Sequence, residues 1–305
     1  MVFPNLFIAG VPKAATTSLS DVLRLGSEFY VPKEKEPHYF AFPNVSPQFS
    51  GPADNEIFRS MIVHQRHEYT KLYDGVGCKW RVDASTMYLY LGGAIAEILK
   101  EVPDAKFILL FRDPAERAFS AYQHMRRDAR EPLDSFRDAL CSESRRISEG
   151  WSPIWHYLAA SCYGHQLKAF KELVPEGNYL ILHQEWMYSQ PNLFSKKISD
   201  FLCLNFDMDL LRGKKSNVSG EPKSKFIGRI LSRPGGMKTF AKMVLGDDFS
   251  RFLKEKARSY NFREKLVLDD GLREKIYGEL DHDMKIFLSM VDHEYLPSWT
   301  SRFLV

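Results

Sequence analysis

The chain has 305 residues, with 42 Lys and Arg against 39 Asp and Glu, so its formal net charge is +3. Hydrophobic residues make up 44% and charged residues 27%, enough apolar surface to offset chain entropy, which excludes an intrinsically disordered protein. A charge this small excludes a protein that coats nucleic acid by electrostatics alone. Four cysteines in 305 residues, Cys78, Cys141, Cys162 and Cys203, do not make a disulfide scaffold, and the lack of a C-x-x-C argues against structural zinc. They read as reduced, mostly buried thiols.

In chain order, Val2–Ala9 is apolar and β-prone and ends at Gly10, as a buried strand would. Its start, MVFPNLFIAG, has no basic region before the apolar stretch, unlike a signal peptide. No apolar run approaches the roughly 20 residues of a membrane helix. The expectation is a soluble, cytoplasmic protein with no membrane span. Ala15–Leu25 reads as a helix with Leu19, Val22 and Leu23 on one face. Helical patterns follow near Gly93–Glu101, Ser161–Leu173 and Pro191–Leu202. Lys106–Phe111 (KFILLF) is a strand apolar on both faces, and Tyr179–His183 (YLILH) a further strand. After Arg112, Asp113 suits an N-cap, Pro114 the first helical position and Glu116 the capping-box position. Residues 212–233 are loop-like, with seven Lys or Arg against one acid, Glu221. From Asp269 a long helix places Ile276, Leu280, Met284 and Phe287 on one face. Strands alternating with helices predict an α/β fold, three-layered around a mainly parallel sheet, in a single domain over 1–305.

Gly10-Val11-Pro12-Lys13-Ala14-Ala15-Thr16-Thr17-Ser18 joins a strand to a helix, where backbone amides and the helix dipole bind phosphate. It fails the G-x-x-x-x-G-K-[ST] frame, because Thr16 stands where that lysine would be and Ala15 replaces the second glycine. The competing reading is a helix start after a turn, with Lys13 solvated. Arg112 at a strand end and Ser120 on the next helix make a second phosphate candidate, set against a simple Arg112 ion pair with Asp113 or Glu116. Lys33-Glu34-Lys35-Glu36-Pro37-His38-Tyr39-Phe40 carries the acid–base candidates. Pro37 disfavours a helical Glu36, so an extended segment would point Glu36 and His38 to one side as a base and its partner. No cluster suited to a metal is visible.

These motifs together resemble the sulfotransferases that use 3′-phosphoadenosine 5′-phosphosulfate (PAPS), in particular the bacterial, heparan-sulfate-type branch. The resemblance runs from Phe3 through the tail. It rests on P-K-x-x-T-T-S-L, on F-R-D-P with R-A-F-S, and on K-E-P-H-Y-F, in that order. It implies a P-loop-like fold, PAPS as sulfuryl donor, PAP as product and no metal. Lys13 would stabilise the leaving phosphate, and Ala14, Ala15, Thr16, Thr17 and Ser18 would hold the 5′-phosphate. Arg112 and Ser120 would hold the 3′-phosphate, closed over by Ser219, Gly220 and Lys223 of the basic loop. That loop reads otherwise as a solvated surface loop, or as a nucleic-acid patch without a stacking platform. Glu36 would be the catalytic base and His38 its auxiliary.

There are departures. Ala15 replaces the family's glycine. His183 stands where many relatives carry a tyrosine, which leaves the adenine contacts open. Ala84, in Arg81-Val82-Asp83-Ala84-Ser85-Thr86, takes the place of a lysine that meets polyanionic sugars. The acceptor is therefore expected to be a small molecule, such as a secondary metabolite, sulfated on a hydroxyl or amine. A saccharide or glycolipid is the alternative, and a P-loop kinase or a non-catalytic nucleotide binder the more distant rivals. Asp83, Ser85, His124 and Trp155, with Arg126, Trp151 and His156, are the acceptor-pocket candidates. Asp83 reads equally as a buried structural carboxylate.

Overall fold

A computed structural model describes residues 2–34, 36–206 and 267–304. Five strands form one sheet among them: β1 (Leu6–Ile8), β2 (Phe29–Tyr30), β3 (Trp80–Asp83), β4 (Lys106–Phe111) and β5 (Tyr179–His183). Their order is β2-β3-β1-β4-β5, and every pairing is parallel. β1 lies between β3 and β4, so the crossovers leave it in opposite directions. A parallel sheet with such a reversal opens a crevice at the carboxyl ends of its strands.

The helices are α1 (Thr16–Leu23), α2 (Arg66–Lys71), α3 (Ala94–Glu101), α4 (Pro114–Arg127) and α5 (Phe136–Cys141). They continue as α6 (Glu143–Ser148), α7 (Tyr163–Leu173), α8 (Trp186–Ser189), α9 (Pro191–Leu202) and α10 (Asp270–Leu288). The sequence expectations hold for β4 and β5 to the residue. The first strand is shorter than Val2–Ala9, and α1 begins only at Thr16. β2 and β3 were not foreseen; two and four residues are too few to show a period.

The core lies on both faces of the sheet. Leu6, Phe7 and Ile8 of β1 and Phe107–Phe111 of β4 are fully buried, as a covered parallel sheet requires. Phe7 stacks on its register partner Phe107 at 5.5 Å and meets Phe40 edge-on at 5.8 Å. At the far end of β4, Phe111 packs on Phe287 of α10 at 4.7 Å. The helix α10 is held close to α7 because Gly164 has no side chain: a Cβ there would lie 2.1 Å from the Asp283 carbonyl oxygen. Asp283 then accepts hydrogen bonds from the amides of Gly164 and His165, capping α7 from another helix.

Asp113 caps α4 as expected, accepting from the amides of Ala115 and Glu116 at 2.8 and 3.1 Å. The capping box is not closed by Glu116. Asp113 N donates instead to Glu185 Oε1 at 3.2 Å, and Glu116 turns outward to Arg273 of α10 at 2.6 Å. The cysteines also differ from expectation: Cys141 and Cys203 are exposed, and Cys78 and Cys162 only partly buried. Among the described residues no helix is long and apolar enough to cross a membrane, and no group of metal-binding side chains is gathered.

Candidate active site

The first loop is shaped by main-chain constraint. After β1 the chain continues beside β4, with Ala9 N donating to Ile108 O at 3.1 Å and Val11 N to Leu110 O at 2.9 Å. A Cβ at Gly10 would lie 2.2 Å from Leu110 N, so only glycine permits this approach. Lys13 and Ala15 then take left-handed conformations, with φ of 72° and 61°. Ala15 occupies the N-cap of α1 without a side-chain oxygen to offer, and no acid lies in the first turn. The positive end of α1 is thus left to an outside anion.

Arg112 brings the second motif to the same place. Its Nη1 donates to the Lys13 carbonyl at 3.0 Å, while its Nη2 reaches Glu116 Oε2 at only 3.5 Å. Tyr163 OH donates to the Arg112 carbonyl at 3.0 Å and fixes the strand end. Along α4, Glu116, Ser120, His124, Arg127 and Asp128 recur at helical spacing and are all half-buried. This stripe reaches the charge of Lys13. Loss of water around the Lys13 ammonium lowers it from 10.5 to about 8, with repulsion from Arg127 and Arg112 adding to the shift. Glu36 and Asp128 pull it the other way. Lys13 in turn pushes His124 down to about 4, assisted by burial, although Asp128 lies 3.3 Å from its Nε2.

Arg127 and Asp128 escaped the sequence reading, which chose Arg126. Arg126 is buried and donates to Leu133 O and to Asp134 on the other side of the helix. The spacing Ser120, His124, Arg127/Asp128 was the available signal, since one residue turns a helix by about 100°.

Glu36 and His38 do come together, but the segment is not extended. Both residues are left-handed, with φ of 55° and 52°. Their carboxylate and imidazole meet at 3.5 Å, Glu36 Oε2 to His38 Nε2. Thr86 Oγ1 donates to the same Glu36 oxygen at 3.3 Å. The His38 side chain is 1% exposed and packs against Phe58 and Tyr88, and neither ring nitrogen has a hydrogen-bond partner among the described residues. Its buried ring adjoins the Glu36 carboxylate.

Asp83 and Ser85 are the framework beneath this segment and not acceptor contacts. Asp83, fully buried, accepts from Tyr69 OH at 2.6 Å, Tyr88 OH at 2.9 Å, Ser85 N at 2.9 Å and Ser85 Oγ at 2.6 Å. Burial raises its pKa against the pull of these donors. Ser85 Oγ in turn accepts from His38 N at 2.9 Å, so the Asp83 network holds the His38 backbone. Trp155 is likewise buried, donating to Asp54 Oδ1 at 2.9 Å, with Trp151 edge-on at 4.9 Å. A side chain with no exposed surface cannot line a pocket. His156, half-buried, shares a 2.6 Å hydrogen bond with Tyr90 OH, and burial lowers it to about 4. His183 is buried between Trp186 and Trp299, and burial first, then Lys197, lowers it to about 3. Ser219, Gly220 and Lys223 lie outside the described residues.

Three features make the candidate site: a start of α1 without a side-chain cap, next to Lys13, an arginine at the neighbouring strand end, and a carboxylate, Glu36, whose charge acts on that lysine. Known proteins share its framework. A sulfotransferase from Alicyclobacillus acidocaldarius superposes with a TM-score of 0.72 at 26% identity, covering 98% of this chain and 99% of that one. The sulfotransferase domain from the curacin biosynthetic pathway has the same fold at a TM-score of 0.50 and 15% identity, covering 92% of this chain and 98% of its own. In sequence, the heparan sulfate glucosamine 3-O-sulfotransferase 6 proteins of Mus musculus and Homo sapiens are each 25% identical, over 247 and 245 residues respectively. Those matches cover 76% of this chain and 64% of either relative, so the chain spans less than two thirds of their length. The family described as the sulfotransferase family matches residues 4–208, and the chain belongs to it.

Proposed function

We propose that the chain, as a single domain, transfers a sulfuryl group from PAPS to a hydroxyl or amine of a small molecule. The observation that carries this reading is that Arg112, just after β4, donates to the Lys13 carbonyl in the loop after β1, while the charges of Arg112 and Glu36 both act on the Lys13 ammonium. The residues suit an anionic nucleotide. Left-handed Lys13 and Ala15 turn the chain into an uncapped helix start, and no acid in the first turn of α1 repels phosphate. When bound, PAPS supplies the sulfuryl group and departs as PAP, without a metal. Residues Ala14 to Ser18 hold the 5′-phosphate, and Arg112 and Ser120 the 3′-phosphate.

Glu36 removes the acceptor's proton; its position is held by Thr86 and by the buried His38. Lys13 offsets the negative charge that grows on the bridging oxygen. His124 and Arg127 on α4 and Asp128 at its C-cap interact electrostatically with Lys13 and are the acceptor-facing groups of this reading. Ala84 in place of the family's lysine favours a small acceptor over a polyanionic one. A saccharide acceptor is the second reading, favoured by the likeness to the two heparan sulfate enzymes.

Incubation with radiolabelled PAPS and a panel of small alcohols, amines, phenols and heparan-type oligosaccharides tests the reading. Label should pass to a small acceptor; no transfer to any acceptor, with no PAP binding, overturns it. Lys13→Ala should lower turnover by roughly 10²–10³-fold, as losing one preorganised donor does, with little change in melting temperature. Unchanged turnover rejects the role of Lys13.

A further inference from the structure

Arg112 is the arginine that the proposed function assigns to the 3′-phosphate, and it has a competitor for its charge. Glu116 sits one helical turn along α4, in the i,i+4 position where a carboxylate ordinarily captures an arginine. That capture is incomplete. Glu116 Oε1 is bound at 2.6 Å by Arg273 Nη2, whereas Arg112 Nη2 stands 3.5 Å from Glu116 Oε2, beyond a normal hydrogen bond. The arginine that wins is far away in sequence and arrives on α10. Its Nη1 also stands 3.4 Å from Asp113 Oδ2, an oxygen that accepts from Tyr277 OH of the same helix at 2.7 Å. Among the described residues Arg112 has one short bond, to the Lys13 carbonyl at 3.0 Å, and only a long contact to Glu116 at 3.5 Å.

We infer that Arg273 is a positioning residue for nucleotide binding: by holding Glu116 it keeps Arg112 available to a 3′-phosphate and neutralises a carboxylate that would repel that phosphate. The inference rests on the PAPS reading. The side chains of Arg112, Glu116 and Arg273 are 21%, 34% and 23% exposed, so the competition takes place where water screens it only in part. Without Arg273, Glu116 would close on Arg112, and the plain ion pair would prevail over the binding site.

The test is calorimetric titration with two probes, adenosine 3′,5′-bisphosphate (PAP) and adenosine 5′-phosphate, which lacks the 3′-phosphate. The readout is the ratio of their affinities, which a merely structural role would not move. Arg273→Gln should lower the ratio roughly fivefold, the size of a partly exposed charge pair, leaving adenosine 5′-phosphate binding within twofold of the unaltered chain. Glu116→Gln in the Arg273→Gln background should restore the ratio, because the competitor is gone. An unchanged ratio, equal losses for both probes, or no recovery in the double variant overturns the inference. If Arg273→Gln does not fold, Glu116→Gln alone decides: a ratio that holds or rises supports the competition, and a ratio that falls overturns it. Absence of PAP binding by the unaltered chain defeats the cofactor reading instead, a result visible before any variant is made.

Discussion

The two walls of the crevice are built differently. On the anion side, the Gly10–Ser18 loop and the start of α1 offer main-chain groups, placed by glycine, by left-handed turns and by the pairing of β1 with β4. On the base side, Glu36 and His38 sit on a short irregular segment. That segment is held from beneath by Asp83, Ser85, Thr86, Tyr69 and Tyr88, which come from other parts of the chain. A site made of backbone is robust to side-chain change, whereas one resting on a buried polar network fails when any member is removed. Substitutions on the anion side should therefore change ligand binding and rate with little loss of fold. Substitutions on the base side should couple rate to stability, except at Glu36 itself, which is partly exposed.

The largest expected effect tests that exception. Glu36→Gln keeps the shape and removes the proposed base, and should lower turnover by roughly 10²–10⁴-fold while urea unfolding stays near that of the unaltered chain. A turnover within tenfold would remove Glu36 from the chemistry.

Next in size is the buried network. Asp83→Ala strands two tyrosine hydroxyls and the Ser85 hydroxyl and amide, and should destabilise the fold by about 3 kcal/mol, the cost of leaving several buried donors unpaired. Equilibrium urea denaturation measures it. A loss below about 1 kcal/mol would mean that the base side does not rest on Asp83, and the contrast between the walls would fall.

The third effect is on pH. In its proposed role Lys13 must be charged, and burial lowers its pKa to about 8. The logarithm of kcat/KM should therefore fall above pH 8 with unit slope, since that ratio reports the free enzyme. Stability should move the opposite way. The folded pKa lies below the 10.5 of the unfolded chain, so the unfolded state binds more protons between pH 8 and 10.5 and stability rises across that window. A rate that stays flat to pH 10 would show that Lys13 is not titrating there.

The smallest effect sharpens the backbone argument. Ala15 sits at φ 61°, where an L-residue is strained by about 1 kcal/mol. Ala15→Gly should relieve part of this, offset by the greater freedom of glycine in the unfolded chain. The melting temperature should rise by a degree or two, and PAP should bind at least as tightly. A clear drop in melting temperature would mean that the loop relaxes when Ala15 is replaced.

Much of the molecule could be read in advance. β4, β5, the cap of α4 and the apolar face of α10 were legible because each is local: a run of apolar residues, a capping side chain, a repeat every three or four positions. The association of Lys13 with Arg112 was legible for a related reason, since both stand at strand ends of a parallel sheet and such ends converge. Proximity of Glu36 to His38 was anticipated, but for a geometry the chain does not adopt. Both residues are left-handed, and the His38 amide is bound by Ser85, 47 positions away.

Which polar groups face the crevice is set by long-range packing. Asp83 and Trp155 carry chemistry suited to a pocket, yet both are sealed in by partners distant in sequence, Tyr69 and Asp54. Arg126 and Arg127 are adjacent and chemically alike, and only the rotation of α4 separates the one bound to Asp134 from the one beside Lys13. Arg273 acquires its place because α10 packs back onto the start of α4. Local periodicity determines where helices and strands form; side-chain roles at a site follow from contacts between segments, whose energies no stretch of sequence contains by itself.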